Sequence, residues 1–143
     1  MGAGRIVRAA VELLDRVAKL LPRSEAQHLE TGRTGEESAY FYLRKLGYTI
    51  VARNWRTPSR RGEIDLIGWD GEALCFVEVK TRGARSMVPA EYAVDAQKRE
   101  ELRMMARAYM RRMKPGITTR FDVVSVYVDG GEIELRKDAF GWR

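Results

Sequence analysis

Two apolar runs that carry charge narrow the fold more than any other feature of this chain. Residues 63–69 (Glu-Ile-Asp-Leu-Ile-Gly-Trp) and 73–81 (Ala-Leu-Cys-Phe-Val-Glu-Val-Lys-Thr) lie on either side of Asp70-Gly71. β-Branched and aromatic residues flanking an Asp-Gly pair predict a β-hairpin. With Asp70-Gly71 as a two-residue loop, Trp69 faces Glu72, and counting back sets Glu63 opposite Glu78 and Asp65 opposite Phe76. Opposed residues share a sheet face, so Glu63, Asp65, Glu78 and Lys80 are expected to project one way and Ile64, Leu66, Val77 and Val79 the other.

The remaining periodicities surround this hairpin with two helices and one further strand before it and a helix and two strands after it. Apolar residues Ile6, Val7, Ala10, Leu13, Leu14, Val17, Leu20 and Leu21 recur at helical spacing, and Pro22 is expected to end that amphipathic helix. Residues 22–33 are polar, contain Gly32 and read as a linker, so 1–30 is taken as an appended helix and linker and 31–143 as the main domain. Thr34-Gly35-Glu36-Glu37 has the form of a capping box and opens a helix that stops at Gly47, with Ala39, Tyr42, Leu43 and Leu46 as its apolar side. Strands are expected at 48–55, 63–69, 73–81, 121–128 and 132–135, with a helix over 95–113 capped by Asp95 and closed by Pro115-Gly116. A helix of that length between the third and fourth strands makes those two strands parallel, so the sheet is five-stranded and mixed and the fold class is α/β.

Charge and composition exclude several classes of function. Hydrophobic residues make up 45% of the 143 and charged residues 32%, the balance of a globular domain. Cys75 is the single cysteine and His28 the single histidine, which removes internal disulfides and zinc clusters, nearly excludes a Ser-His-Asp or Cys-His site, and points to a cytoplasmic address. No run is long and apolar enough for a membrane helix, so no integral membrane contact is expected. Lys98, Arg99, Arg103, Arg107, Arg111, Arg112, Lys114 and Arg120, against Glu100 and Glu101, account for the whole net charge of +6. At about 100° per residue, Leu102, Met105, Ala106, Tyr109 and Met113 share one side of the 95–113 helix. Arg99, Arg103, Arg107 and Arg111 form a ridge on another side, while Lys98 falls on the apolar side. A ridge of arginines suits a polyanion, nucleic acid first.

Carboxylates gathered on one sheet face repel one another unless a cation joins them. Oxygen ligands without His or Cys suit Mg²⁺ or Mn²⁺, and Lys80 stands two residues beyond Glu78, able to orient a water or offset charge on a phosphate. These parts fit phosphodiester hydrolysis. The alternative is a solvent face on which Glu and Lys pair across strands.

The string Gly62-Glu63-Ile64-Asp65-Leu66-Ile67, followed by Phe76-Val77-Glu78-Val79-Lys80-Thr81-Arg82, resembles the PD-(D/E)XK nuclease superfamily and, within it, the YraN-like family. The resemblance takes in residues 33–142, including Gly35-Glu36, Asn54, Gln97-Lys98 and Arg120-Phe121-Asp122-Val123-Val124. It implies a restriction-endonuclease-like three-layer fold, with the first amphipathic helix outside the shared core. It also implies site roles: Asp65 as the metal-binding aspartate, Glu78 as the second acidic ligand, Lys80 as the catalytic lysine, and Glu36 as the helix glutamate that faces the metal in Holliday-junction resolvases and Mrr-like enzymes. Glu63 is then a supporting residue for Lys80 or Arg61, Gln97 a second supporting residue, and Ile64 stands where the superfamily motif has proline.

Arg61 and Arg82, with Arg60 and Arg85, are expected in loops beside the site, where with Lys98, Arg99, Arg103 and Arg107 they would grip phosphates without reading bases. Cys75 reads as a buried thiol and Asp122 as a structural acid. The expected activity is a Mg²⁺- or Mn²⁺-dependent endonuclease acting on DNA, including branched DNA of the Holliday-junction kind. The rival reading is a nucleic-acid-binding protein that keeps the nuclease fold with little or no turnover. A homodimer that pairs two sites, and a protein partner for the N-terminal helix, are both left open by the sequence.

Overall fold

The computed structural model describes residues 10, 11, 13, 14, 16, 23–83, 94–128 and 130–143. Of the expected helix over 6–21, residues 10, 11, 13, 14 and 16 are helical, with Leu13 and Leu14 exposed; the rest of it, and Pro22 expected to end it, lie outside the described residues. The chain divides into two compact units, Met1–Thr34 and Gly35–Arg143. Among the described residues, no helix is long and apolar enough to cross a membrane.

The elements are α1 (Arg23–Lys45), β1 (Thr49–Trp55), β2 (Ile64–Asp70), β3 (Ala73–Arg82), α2 (Ala96–Met110), β4 (Thr118–Tyr127) and β5 (Ile133–Phe140). α1 corrects the expected linker: residues 23–33 are its first turns, and Thr34 lies inside the helix rather than capping it. The segment is polar, but Arg23, Glu25, Ala26, Gln27, Leu29, Glu30 and Arg33 are good helix formers, enough to outweigh Ser24, His28, Thr31 and Gly32. The C-terminus is as expected. Gly47 is left-handed at φ +96, its N–H donates to the Arg44 carbonyl, and the Tyr48 N–H reaches back to Leu43 at 3.0 Å. That is a Schellman ending, closed by burial of both Leu43 and Tyr48. Leu46, expected on the apolar side, is exposed because it is the capping residue at the point where the chain leaves the helix.

The sheet has the order β1-β2-β3-β4-β5, antiparallel except for the parallel β3–β4 pair that α2 bridges. It is therefore mixed, as the crossover required. One face packs Ile67, Leu74, Phe76, Phe121 and Val123 against Leu102, Met105 and Ala106 of α2. The other packs Leu66, Cys75, Val77, Val124 and Val126 against Ala39 and Leu43 of α1. A helix on each side makes three layers, an architecture compatible with the restriction-endonuclease-like fold. Met105 is 1% exposed, so truncating it to alanine would cost about 2–5 kcal/mol.

α2 opens as expected, with the Asp95 carboxylate accepting the Lys98 N–H at 2.8 Å. β5 runs further than expected, to Phe140. Its polar middle is used in contacts: Lys137 reaches Asp70 at 2.8 Å, and the left-handed Asp138 (φ 52) donates its N–H to Asp122. Asp122 is fully buried and also receives the Tyr48 hydroxyl and the Arg120 guanidinium, each within 3 Å, which bears out its structural reading. Burial, then the charge of Asp122, holds Tyr48 above the usual phenol range and pushes the Cys75 thiol up to about 12, so that thiol is inert.

The hairpin register differs from the expected count. Asp70 pairs with Ala73 and Leu66 with Val77, so the loop is Gly71-Glu72 and every pair is offset by two residues. An even offset leaves faces unchanged. A second difference does change them: Ile64 packs with Phe76 and α2 whereas Leu66 packs with Cys75 and α1, so the two do not share a face. The alternation breaks at Asp65. On the neighbouring strand, Arg53 pairs with Leu66 and Trp55 with Ile64, and the residue between them, Asn54, is left-handed at φ 47. Asparagine tolerates that conformation better than other non-glycine residues.

Candidate active site

The sheet forks where the charged residues lie. The β2–β3 ladder runs from Asp70–Ala73 to Leu66–Val77; beyond it β2 stays paired with β1 as far as Ile64, while β3 stays paired with β4 as far as Arg82. Past the last rung the Val79 N–H is taken by Asp65 Oδ2 at 2.8 Å. A side-chain carboxylate thus does the work of a strand carbonyl, which satisfies a half-buried donor and fixes Asp65 in the fork.

Asn54 organises the β1 side of the fork. Its Nδ2 donates to Glu36 Oε2 at 3.0 Å and lies 3.4 Å from Glu63 Oε1. Arg56 binds Glu63 Oε2 through Nε at 2.9 Å and a terminal nitrogen at 2.7 Å. Among the described residues, the Glu63 carboxylate is thus bound by Arg56 and Asn54, whereas the sequence reading has Glu63 supporting Lys80 or Arg61. Glu36 reaches the fork because α1 presses against β3 at Gly35, where an added Cβ would collide with Thr81 Oγ1. Carboxylate oxygens of Glu36, Glu63 and Asp65 all lie within 4.8 Å of one another, so they could hold a cation together.

Glu78 stands on the β3 side of the fork and is 4% exposed. Its Oε1 lies 3.5 Å from the Lys80 ammonium and 3.8 Å from that of Lys98, and its Oε2 is buried without a hydrogen-bond partner. Desolvation raises Glu78 above the usual carboxylate range, opposed by Lys98 and Lys80. Desolvation, followed by the charge of Glu78, pushes Asp65 up to about 8, against the Val79 hydrogen bond. Two buried carboxylates that both resist ionisation are a pair whose charged forms a cation would stabilise.

The expected phosphate-gripping residues are placed differently. Arg82 is not a loop residue: it ends β3 and is 8% exposed, with its guanidinium 3.4 Å from the Tyr127 hydroxyl and 5.6 Å from that ring. The arginine ridge clasps the C-terminus. Arg99 and Arg103 each lie 5.5 Å from the Phe140 ring, Arg103 Nε donates to the Gly141 carbonyl, and Arg107 lies 5.5 Å from Trp142. Arg61 and Gln97 are exposed, and Lys98 turns into the site rather than outward with the ridge.

Asn54 and Arg56 hold the acids of the fork, and the sequence pattern assigns neither a role. Asn54 stood within the motif string, and only its left-handed backbone shows why it is there. Arg56 carried no signal beyond lying across a turn from Glu63.

The family profile described as Uncharacterised protein family UPF0102 matches residues 35–126. The chain belongs to the UPF0102 family. A UPF0102 protein of Koribacter versatilis is 55% identical over 134 residues, covering 92% of each chain. One from Solibacter usitatus is 51% identical over 111 residues, covering 76% of this chain and 84% of its own. A third, from Porphyromonas gingivalis, is 42% identical over 119 residues, covering 80% and 87% respectively. The family is thus the YraN-like one that the motifs of residues 62–82 resemble. The UPF0102 match begins at Gly35, the contact that seats Glu36, and takes in Asn54, Glu63, Asp65, Glu78, Lys80 and Lys98; it stops before Phe140 and Trp142.

Proposed function

We propose that this UPF0102 chain is a Mg²⁺- or Mn²⁺-dependent nuclease that hydrolyses phosphodiester bonds in DNA, branched DNA included. The observation that carries the reading is the buried Asp65–Glu78 pair in the sheet fork, with Glu78 Oε2 left without a partner and Lys80 beside it. An all-oxygen donor set with an orphaned buried acceptor fits a hard divalent cation. Asp65 and Glu78 would hold it, with Glu36 and Glu63 at the open side. Such a cation supplies Lewis acidity toward a phosphoryl oxygen and lowers the pKa of water.

The chain's own residues do the rest. Asn54 and Arg56 fix Glu36 and Glu63 so that their oxygens point into the fork. Lys80, 35% exposed at its side chain, has donors free to meet a phosphate oxygen as charge develops there. Exposed Arg61 stands in the loop just before Glu63, where a phosphate backbone entering the fork would pass.

The test is a cleavage panel of duplex, single-stranded, flap and four-way-junction DNA, with RNA as comparison, run with Mg²⁺, Mn²⁺ or chelator. Cleavage that needs the metal and disappears in Asp65→Asn supports the reading. Tight binding of the same substrates without cleavage under any metal would replace it with a nucleic-acid-binding module.

A further inference from the structure

Lys98 lies between two carboxylates that belong to different parts of the fold. Its ammonium is 3.8 Å from Glu78 Oε1 in the fork and 3.9 Å from Glu101 Oε2 one turn along its own helix. The two acids differ in environment: the Glu78 side chain is 5% exposed and the Glu101 side chain 46%. The Lys98 backbone cannot follow its side chain, because its N–H is pinned to the Asp95 cap at 2.8 Å in the first turn of α2. Only the four-carbon stem is free to choose between the acids.

Glu78 also receives Lys80, and both ammonium groups approach the same oxygen. Two cations on Oε1, with Oε2 bare, hold a buried charge that a divalent ion would have to claim against them. Lys80 projects from the same strand as Glu78, two residues on. Lys98 comes from a separate element and has a second acid in reach, so it can leave Glu78 without either partner losing its ion pair.

We propose that Lys98 is the resident counter-ion of Glu78 in the metal-free protein and that it transfers to Glu101 when a divalent cation takes the Glu78 carboxylate. The assignment rests on the reading of Glu78 as a metal ligand. Lys98 is thereby a positioning residue that sets metal affinity, rather than one of the ridge cations that would bind a phosphate backbone. A ligand shifts such an equilibrium only by its difference in affinity for the two arrangements, and here that difference is the repulsion between the entering ion and an ammonium beside the same oxygen.

The experiment is Mn²⁺ titration of the full chain, read by the free-ion electron paramagnetic resonance signal and by calorimetry, with thermal midpoints measured alongside. Lys98→Met removes the competitor and should bind Mn²⁺ about fivefold tighter, the scale of a partly exposed ion pair. Lys98→Arg should stay near wild type. Glu101→Gln removes the alternative partner and should weaken Mn²⁺ binding, whereas the Lys98→Met, Glu101→Gln double variant should match Lys98→Met. Lys98→Met binding no tighter than wild type, or Glu101→Gln binding equally well, overturns the inference. Glu101 is surface-exposed, so its variant keeps the test open even if Lys98→Met folds poorly. Asp65→Asn separates the two claims: if it binds Mn²⁺ as wild type does, the metal site itself fails and the inference with it. If Asp65→Asn loses the ion while Lys98→Met is unchanged, only the inference fails.

Discussion

Asp65 Oδ2 accepts the Val79 N–H at 2.8 Å, so one side chain sits both past the last rung of the β2–β3 ladder and at the fork where the two strands part. The carboxylate is structural and, on the proposed reading, functional at once. Substitutions there are expected to separate the two roles: Asp65→Asn keeps an oxygen for Val79 but cannot ionise to meet a cation, whereas Asp65→Ala leaves a half-buried N–H unpaired at about 1–3 kcal/mol. Thermal midpoints of the two variants, with Asn the more stable, check this.

Stability should respond to pH through the same pair. Burial raises Asp65 up to about 8 and holds Glu78 above the usual range, so near pH 6 the folded protein keeps a proton that the unfolded chain has released. Stability then falls as pH rises from the ordinary carboxylate range toward 8, because the native state binds more protons than the unfolded one. Melting temperatures without metal should drop across that window. The drop should flatten in Asp65→Asn, and Mg²⁺ or Mn²⁺ should offset it at the alkaline end if the fork takes the ion.

Gly35 should tolerate no side chain. A Cβ there would run into Thr81 Oγ1, whereas Gly83 has nothing within 4 Å of an added Cβ. Gly35→Ala is expected to lose about 1–3 kcal/mol of stability and to shift Glu36 away from Asn54. Gly83→Ala should be close to neutral. Denaturant unfolding of the pair measures the difference.

How far the site was legible in the sequence follows from the period of a strand. The turn at Asp70-Gly71 was misplaced by one residue, which moved every pair by two and left Asp65, Glu78 and Lys80 near one another all the same. Periodicity of two is blind to an even error, so the cluster survived the wrong register. The break in alternation at Asp65 was not legible, because it depends on a left-handed Asn54 on another strand. Residues 23–33 depart from the expected linker for a simpler reason: polarity does not distinguish a loop from an exposed helix, and most of these residues are good helix formers. The arginine ridge was placed on the right helix, but its partners Phe140 and Trp142 come from the far end of the chain, and no local pattern announces such a contact.

That contact makes a prediction about the ridge. Arg103 donates to the Gly141 carbonyl at 2.8 Å and lies against Phe140, so Arg103→Ala should lower stability by about 1–2 kcal/mol, through lost packing and a lost hydrogen bond. Arg111→Ala, at an exposed position, should leave the melting temperature unchanged. A phosphate-contact role for either residue would show separately, as a fall of about one in the salt slope of DNA binding.

Lys80→Ala distinguishes a nuclease from a fold that only binds. Lys80 is half-buried at the fork, its ion pair among the described residues is a 3.5 Å approach to Glu78, and Glu78 retains Lys98 at 3.8 Å if Lys80 is removed. The fold should therefore survive with little change in melting temperature. Binding of DNA should also be nearly intact, since one cation among many contributes only a small part of the electrostatic affinity. Cleavage should not survive in the same way: a preorganised cation aimed at developing charge is worth about a hundredfold or more in rate, and its loss appears in kcat rather than in KM. Single-turnover rates of wild type and Lys80→Ala on the best substrate of the panel, at saturating Mg²⁺, measure the step directly. Equal rates would remove Lys80 from the chemistry, and with it the main reason for reading the Asp65–Glu78 fork as a site of phosphodiester hydrolysis.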